Sequence, residues 1–443
     1  MLSARAYKHY VLATLTAVYT FSMVDQSLIA LLLQPIKQDL HLSDTELGVL
    51  TGTAFGLMYA SLGIPFARWS DRGNRSAIAA AAISVWAAAL MVCPFVKGFS
   101  QFVGARVAAA VGGAGSMPPT YSLVGDYFPE SAERTRAMAA YMLANSLSFL
   151  LAFLAGGWLN ERYGWRATFF LMGLPGLLLA GLVRLTVREP RRGAQHATRT
   201  LAPPPIRYVL ATLWQQRASR HLSVAIVLIS ILGLALAPWY AAFMIRSHGV
   251  GTAQAGVLLG VTLGVGSLTG IWLGGYVAGR WLAHDEPGQM RLLATMTAAL
   301  VPCFALFLLL PSRLSALIVS VPLMAVLCCY FGPTFALMQR LVAEDMRSTT
   351  LAIVMLLGNL IGMGAGPLLV GTLSDLLRPR FGADSLRYAM LTVSLLALYV
   401  AYHFWRAGET VKRDLARVAR HISPIGDESD RGGMIARDPA DAA

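Results

Sequence analysis

The sequence predicts an all-α membrane protein with twelve transmembrane helices in two pseudo-symmetric six-helix bundles. Composition, the length of the apolar blocks and the placement of positive charge predict it. Of 443 residues, 56% are hydrophobic and 13% are charged, with a mean hydropathy of +0.58. A soluble chain carries roughly a quarter of its residues as charges. The apolar residues come in blocks of about 20, the length that crosses a hydrocarbon core. A single large soluble core would not repeat such blocks so many times.

Read between charged or Pro/Gly-rich breaks, the first six blocks fall at 10–33, 45–67, 77–95, 101–124, 137–159 and 168–186. The second six fall at 221–245, 253–280, 291–310, 314–338, 349–373 and 387–405. The expected organisation is an N-terminal bundle (1–186), a basic proline-containing linker (187–220), a C-terminal bundle (221–405) and a partly disordered polar tail (406–443). The halves repeat. Pro119-Thr-Tyr-Ser-Leu123 in the fourth block matches Pro333-Thr-Phe-Ala-Leu337 in the tenth, and Asn145 and Asn359 follow at the same offset. Two such halves predict a duplicated transporter that rocks about a midplane site.

The net charge is +13. In a soluble chain that would point to nucleic acid; in this one it follows topology. Segments on the side of both termini carry 26 lysines and arginines, and the opposite loops carry 9. The bias predicts cytoplasmic termini in a bacterial-type inner membrane, with the lipid bilayer and no nucleic acid as partner. Arg5 and Lys8 precede an apolar block that runs on to Leu33, too long for a signal-peptide core, so an uncleaved insertion signal is expected. Cys93, Cys303, Cys328 and Cys329 lie inside apolar runs without metal or disulfide spacing, which predicts packing roles and no metal. No phosphate loop, zinc-binding His-Glu-x-x-His or nucleophile elbow is present, so neither an enzyme nor a cofactor is expected.

Two charges stand deep inside apolar blocks. Asp25 in the first block is costly unless it faces a polar cavity or is neutralised. Burial raises a carboxyl pKa, which makes Asp25 a candidate proton carrier against the plainer reading of a structural hydrogen-bonder. Arg106 in the fourth block is the only base well inside the first half and the natural partner of Asp25, unless it snorkels to the nearer surface. Candidate cavity residues are Tyr59, Tyr121, Asn145, Trp239, Tyr330 and Asn359. Each taken singly is as well explained by packing; together they favour an amphipathic or aromatic solute over a sugar. Gly52 and Gly56, and Gly256, Gly260 and Gly264, form stripes that let helices approach closely.

The loop Gly63-Ile-Pro-Phe-Ala67-Arg68-Trp-Ser-Asp71-Arg72-Gly73-Asn74-Arg75 resembles motif A of the major facilitator superfamily, with Ala67, Asn74 and Ser76 departing from it. The resemblance implies the major facilitator fold and a cytoplasmic gate formed by Asp71, Arg72, Arg75 and Arg136. A purely topogenic basic loop is the competing reading. Arg106 with Gly112-Gly113-Ala114-Gly115 resembles motif B, whose arginine serves proton coupling or anion binding. Motif C is absent, with Ala155-Gly156-Gly157 in its place.

A narrower resemblance, to the Spinster-like branch, comes from three segments: Leu33-Gln-Pro-Ile-Lys37 through Ser43-Asp44 to Gly48, Ser122 to Pro129, and Asn359 to Asp375. That branch is implicated in export of lysolipids and sphingoid lipids. Gln26 stands where the branch has Arg, and Gly113 where it has Glu.

These readings predict a proton-coupled secondary transporter for a small amphipathic or lipid-like solute, working as a monomer by alternating access. Asp25 would carry the proton, and Arg106 would tune it or hold an anionic group. The alternatives are uptake of an organic, aromatic carboxylate and a non-transporting membrane sensor or scaffold.

Overall fold

The computed structural model describes residues 3–190, 205–343 and 346–422. Among them every regular element is helical. In hydrocarbon a backbone must satisfy its own hydrogen bonds, and an apolar block does so as a helix.

The first half comprises α1 (Ala4–Leu40), α2 (Asp44–Gly48) running through a π-turn (Val49–Thr53) into α3 (Ala54–Arg72), α4 (Arg75–Val92), α5 (Phe99–Tyr127) and α6 (Ser131–Thr186). A short amphipathic helix, α7 (Ile206–Gln215), precedes the second half. That half holds α8 (Arg217–Leu236), α9 (Trp239–His248), α10 (Thr252–Tyr276), α11 (Glu286–Leu309), α12 (Arg313–Cys328), α13 (Phe331–Arg340), α14 (Arg347–Phe381), α15 (Ser385–Ser394) and α16 (Leu396–Ile422).

Nine stretches of the described residues are long and apolar enough to cross a membrane. Two of these, Arg136–Thr186 and Thr349–Val418, are long enough for two crossings each. The first divides at Gly164 (φ 79°) and the second at Gly382 (φ 54°), left-handed positions that glycine adopts without a Cβ penalty. With α5, whose Gly, Pro and Ser content dilutes its hydropathy, the twelve expected spans are accounted for. The seventh breaks at Pro238, between α8 and α9, and the tenth at Cys329–Tyr330, between α12 and α13.

Helix ends follow local chemistry. Ser43 opens α2 with a reciprocal capping box to Glu46, Asn74 caps α4, and α1 stops at His41 in the left-handed region. Lys8 and Glu133 (2.6 Å) join α1 to α6 beside the N-terminus, and the lysine's hydrogen bond holds the Glu133 carboxyl below its ordinary range. Asp414 Oδ2 accepts from Ala218 N (2.7 Å), placing the end of α16 beside the start of α8. The start of α1 and the end of α16 therefore lie on one face, the terminal face. The ends of α1, α9 and α14 meet on the far face. The stretch expected as linker contains α7, whose Val209 and Leu213 are buried, and residues 191–204 lie outside the described residues. The expected tail begins as a continuation of α16 to Ile422, with Val411 buried, and residues 423–443 lie outside the described residues.

Near the far face the halves touch along two seams, and glycine makes both. A Cβ on Gly48 would lie 2.6 Å from Pro367 O, and one on Gly52 2.5 Å from Met363 O, so α2–α3 meets α14 backbone to backbone. A Cβ on Gly256 would lie 2.1 Å from Phe153 O, so α10 meets α6 in the same way. Toward the terminal face Gly264 meets open space, and a cleft opens there between α3 and α5.

This contrast sets a prediction. Gly256→Ala should destabilise the detergent-purified protein by about 1–3 kcal/mol, the cost of overpacking. Gly264→Ala, the same substitution into space, should not. Thermal unfolding checks it, and equal melting temperatures would refute the close-approach account.

Candidate functional site

Asp25 and Arg106 meet. Arg106 Nη1 donates to Asp25 Oδ1 at 2.5 Å, and both side chains are completely buried between α1 and α5. Arg106 Nε donates to Leu50 O (3.2 Å), a carbonyl within the π-turn joining α2 to α3. Within that turn the backbone bonds shift by one residue, Ala54 N bonding to Val49 O, a distortion that often marks functional positions. The guanidinium lies 5.0 Å over the Phe55 ring, which stacks on Tyr59 at 5.6 Å. The pair balances its charge and leaves one oxygen, Asp25 Oδ2, and one nitrogen, Arg106 Nη2, without a hydrogen bond.

Tyr59 joins this ladder to the cleft. With Gly63, Ala67, Ser70, Ala114, Met117 and Tyr121 it lines a recess of about 480 Å³ between α3 and α5. Its hydroxyl donates to Met117 Sδ at 3.7 Å. Deeper in the same half Tyr19 stacks on Tyr141 (4.9 Å), whose hydroxyl shares a hydrogen bond with Thr120 (2.7 Å) and whose ring meets Tyr121 edge-on. Gly113 faces Phe55 and Tyr59, so the missing side chain there leaves that wall apolar and aromatic.

Asn145 and Asn359 are exposed at matching positions of α6 and α14, with Met142 and Met355 beside them. Trp239 and Tyr330, expected in the cavity, sit in the core of the second half in this state. The helix breaks at Pro238 and Cys329–Tyr330 turn them inward, where Tyr330 stacks on Phe331 (4.3 Å) and reaches Ser230 (3.4 Å). Of the residues expected in the gate, Arg75 is held within its own half by Asp126 (2.6 Å), Glu189 (2.7 Å) and Ser122 (2.7 Å). Arg72 and Arg136 are exposed, and the side chain of Asp71 lies outside the described residues.

Sequence reasoning missed a clamp on the far face. Asp44, buried at the start of α2, accepts from Lys37 (2.5 Å), from Arg246 of α9 through both oxygens (2.8 and 2.7 Å) and from Ser374 of α14 (2.6 Å). Arg246 Nε also donates to Gln34 (2.5 Å). One carboxylate thus ties α1 and α2 to α9 and α14, across the two halves. The available signal was the scarcity of charge on that side, which makes Lys37, Asp44 and Arg246 conspicuous.

The buried pair sets the second prediction. Removing one partner strands the other charge, so Asp25→Leu and Arg106→Leu should each cost about 3–5 kcal/mol, and the double variant should recover most of that loss. Additive losses in chemical or thermal unfolding would show that the two side chains act separately.

The Major Facilitator Superfamily profile matches residues 15–367. An MFS-type efflux pump of Mycolicibacterium smegmatis is 31% identical over 92% of this chain and 94% of its own length. Protein spinster homolog 1 of Homo sapiens is 23% identical over 94% of this chain and 83% of its own. The crystal structure of a bacterial homolog of the human lysosomal transporter Spinster, inward-facing and unoccupied, superposes with a TM-score of 0.81 at 26% identity, covering 92% of this chain and 98% of that one. With its helical bundles, glycine seams and buried Asp–Arg pair, the chain belongs to the Major Facilitator Superfamily, in its Spinster-like branch, as an integral-membrane secondary transporter and not an enzyme.

Proposed function

We propose that this protein moves a small amphipathic or lipid-like solute by alternating access, coupled to protons through Asp25. The carrying observation is the Asp25–Arg106 pair: buried and joined by one hydrogen bond, with an unpaired oxygen and an unpaired nitrogen left over. A proton on Asp25 neutralises the carboxylate and leaves Arg106 uncompensated in a medium where a lone charge is expensive. The cheapest remedy is an anionic group beside the guanidinium. Proton and anionic headgroup then exclude or recruit one another through one arginine, which is what coupling requires.

The cleft supports the solute class. Tyr59, Met117 and Tyr121 offer broad apolar contact with few hydrogen-bond partners, suited to a chain or ring with one polar end. The similarity to an efflux pump and to Spinster homologues favours the same class. An aromatic carboxylate would meet the same arginine in the same way, so the solute class rests on the cleft lining and the relatives. In our reading the terminal face is cytoplasmic, on the weight of its lysines and arginines, and the protein works as a monomer in the inner membrane.

Asp25→Asn tests the coupling. In proteoliposomes containing a pH-sensitive dye, lysolipid-dependent proton flux should fall about tenfold or more, while lysolipid counterflow, which needs no net proton movement, persists. Unchanged proton flux would remove Asp25 from the coupling mechanism. Loss of counterflow and flux together would point to a role in binding.

A further inference from the structure

The two far-face seams carry a second correspondence. In the seam between α14 and α2, Asp375 accepts from Asp44 N (3.1 Å), Thr45 N (2.7 Å) and Thr45 Oγ1 (2.7 Å), while its neighbour Ser374 donates to Asp44. In the seam between α6 and α10, Glu161 accepts from Ala253 N (3.2 Å), and its neighbour Asn160 donates to Thr252 Oγ1 (2.8 Å). Glu161 and Asp375 stand at the offset that relates Asn145 to Asn359, and Asn160 and Ser374 do the same. The glycines obey it too. A Cβ on Gly371 would press on Asp44 O and one on Gly157 on Thr252 O, each one helical turn before its carboxylate.

We propose that Glu161 and Asp375 are a reciprocal pair of bolts: each half extends a carboxylate from its fifth span to cap the second span of the other half. The N-terminus of a helix presents unpaired N–H groups and a partial positive charge, and a carboxylate there satisfies both. Each cap crosses between halves, so it exists only while the far face is shut. Opening that face strands the amides of Thr45 and Ala253 and the two carboxylates, which water must then take up.

The bolts are unequal. The α14–α2 bolt adjoins the buried Asp44, itself gripped by Lys37 and Arg246. The α6–α10 bolt rests on an exposed Glu161 with one longer amide bond. The α6–α10 seam therefore yields first when the far face opens, with the α2–α14 seam as the later, hinge-like contact.

This inference rests on alternating access and is independent of the proton. Nitroxide pairs on exposed far-face positions test it, after replacement of the four native cysteines: Arg162 with Gln254 beside the α6–α10 seam, and Gln38 with Arg378 beside the α2–α14 seam. In lipid nanodiscs, pulsed dipolar spectroscopy should resolve a longer, open population that is larger at 162/254 than at 38/378. Glu161→Ala should raise the open population at 162/254 by about two- to fivefold, the size of a carboxylate's interaction with a helix N-terminus. Asp375→Ala should raise it at both pairs. A larger open population at 38/378 than at 162/254 in the parent would overturn the order of opening. Two populations that Glu161→Ala leaves in the parent's ratio would overturn the bolts. A single short distance at both pairs in the parent and in every variant would defeat alternating access itself.

Discussion

Everything in this molecule depends on backbone meeting backbone at the two glycine seams. Lipid tails are as apolar as leucine, so helices in a membrane gain nothing by hiding apolar surface from one another. They gain by approaching closely enough for dispersion and for polar contact. Gly48 and Gly52 bring α2 and α3 onto α14, and Gly256 brings α10 onto α6. Only at that separation can a side chain of one half reach the amides of the other. The Asp44 clamp follows from this approach, because Arg246 and Ser374 can bracket a carboxylate on α2 only when the spans behind them are pressed together.

Charge obeys a matching constraint. A buried carboxylate is tolerable when paired, Asp25 beside Arg106 and Asp44 beside Arg246 and Lys37. The terminal face, by contrast, can spend charge freely, and Arg75 gathers Asp126 and Glu189 there within one half. The asymmetry of lysine and arginine along the sequence thus corresponds to an asymmetry of work. The terminal side carries many charges, several of them exposed, while the far side carries few and uses some of them, Asp44, Arg246, Glu161 and Asp375, to join the halves.

Fold legibility in the sequence was high because the bilayer imposes a length on each apolar block, and block length survives any detail of packing. The Asp25–Arg106 pair was legible for the same reason, since two opposite charges in one hydrocarbon volume have few other partners. The cavity was read less well. Trp239 and Tyr330 look available from composition, but their direction is set by breaks at Pro238 and Cys329–Tyr330, and no periodicity announces which way a broken helix turns. The π-turn at Val49–Thr53 has no sequence signature either, although it shapes the site. The far-face carboxylates went unread because capping an opposite half is a tertiary fact. Only the constant offset between Glu161 and Asp375 hinted at it.

The π-turn also explains how so small a buried pair sits within so large a machine. Leu50, whose carbonyl holds Arg106, lies between Gly48 and Gly52, the two glycines that seat α2 against α14. The path from Asp25 Oδ1 to Arg106, to Leu50 O and to the Pro367 and Met363 carbonyls is therefore a chain of direct contacts with one helical turn at its centre. This wide turn carries, within five residues, both the carbonyl that holds Arg106 and a glycine, Gly52, that meets α14. The buried pair and the α2–α14 seam thereby meet in one short segment, 48–53.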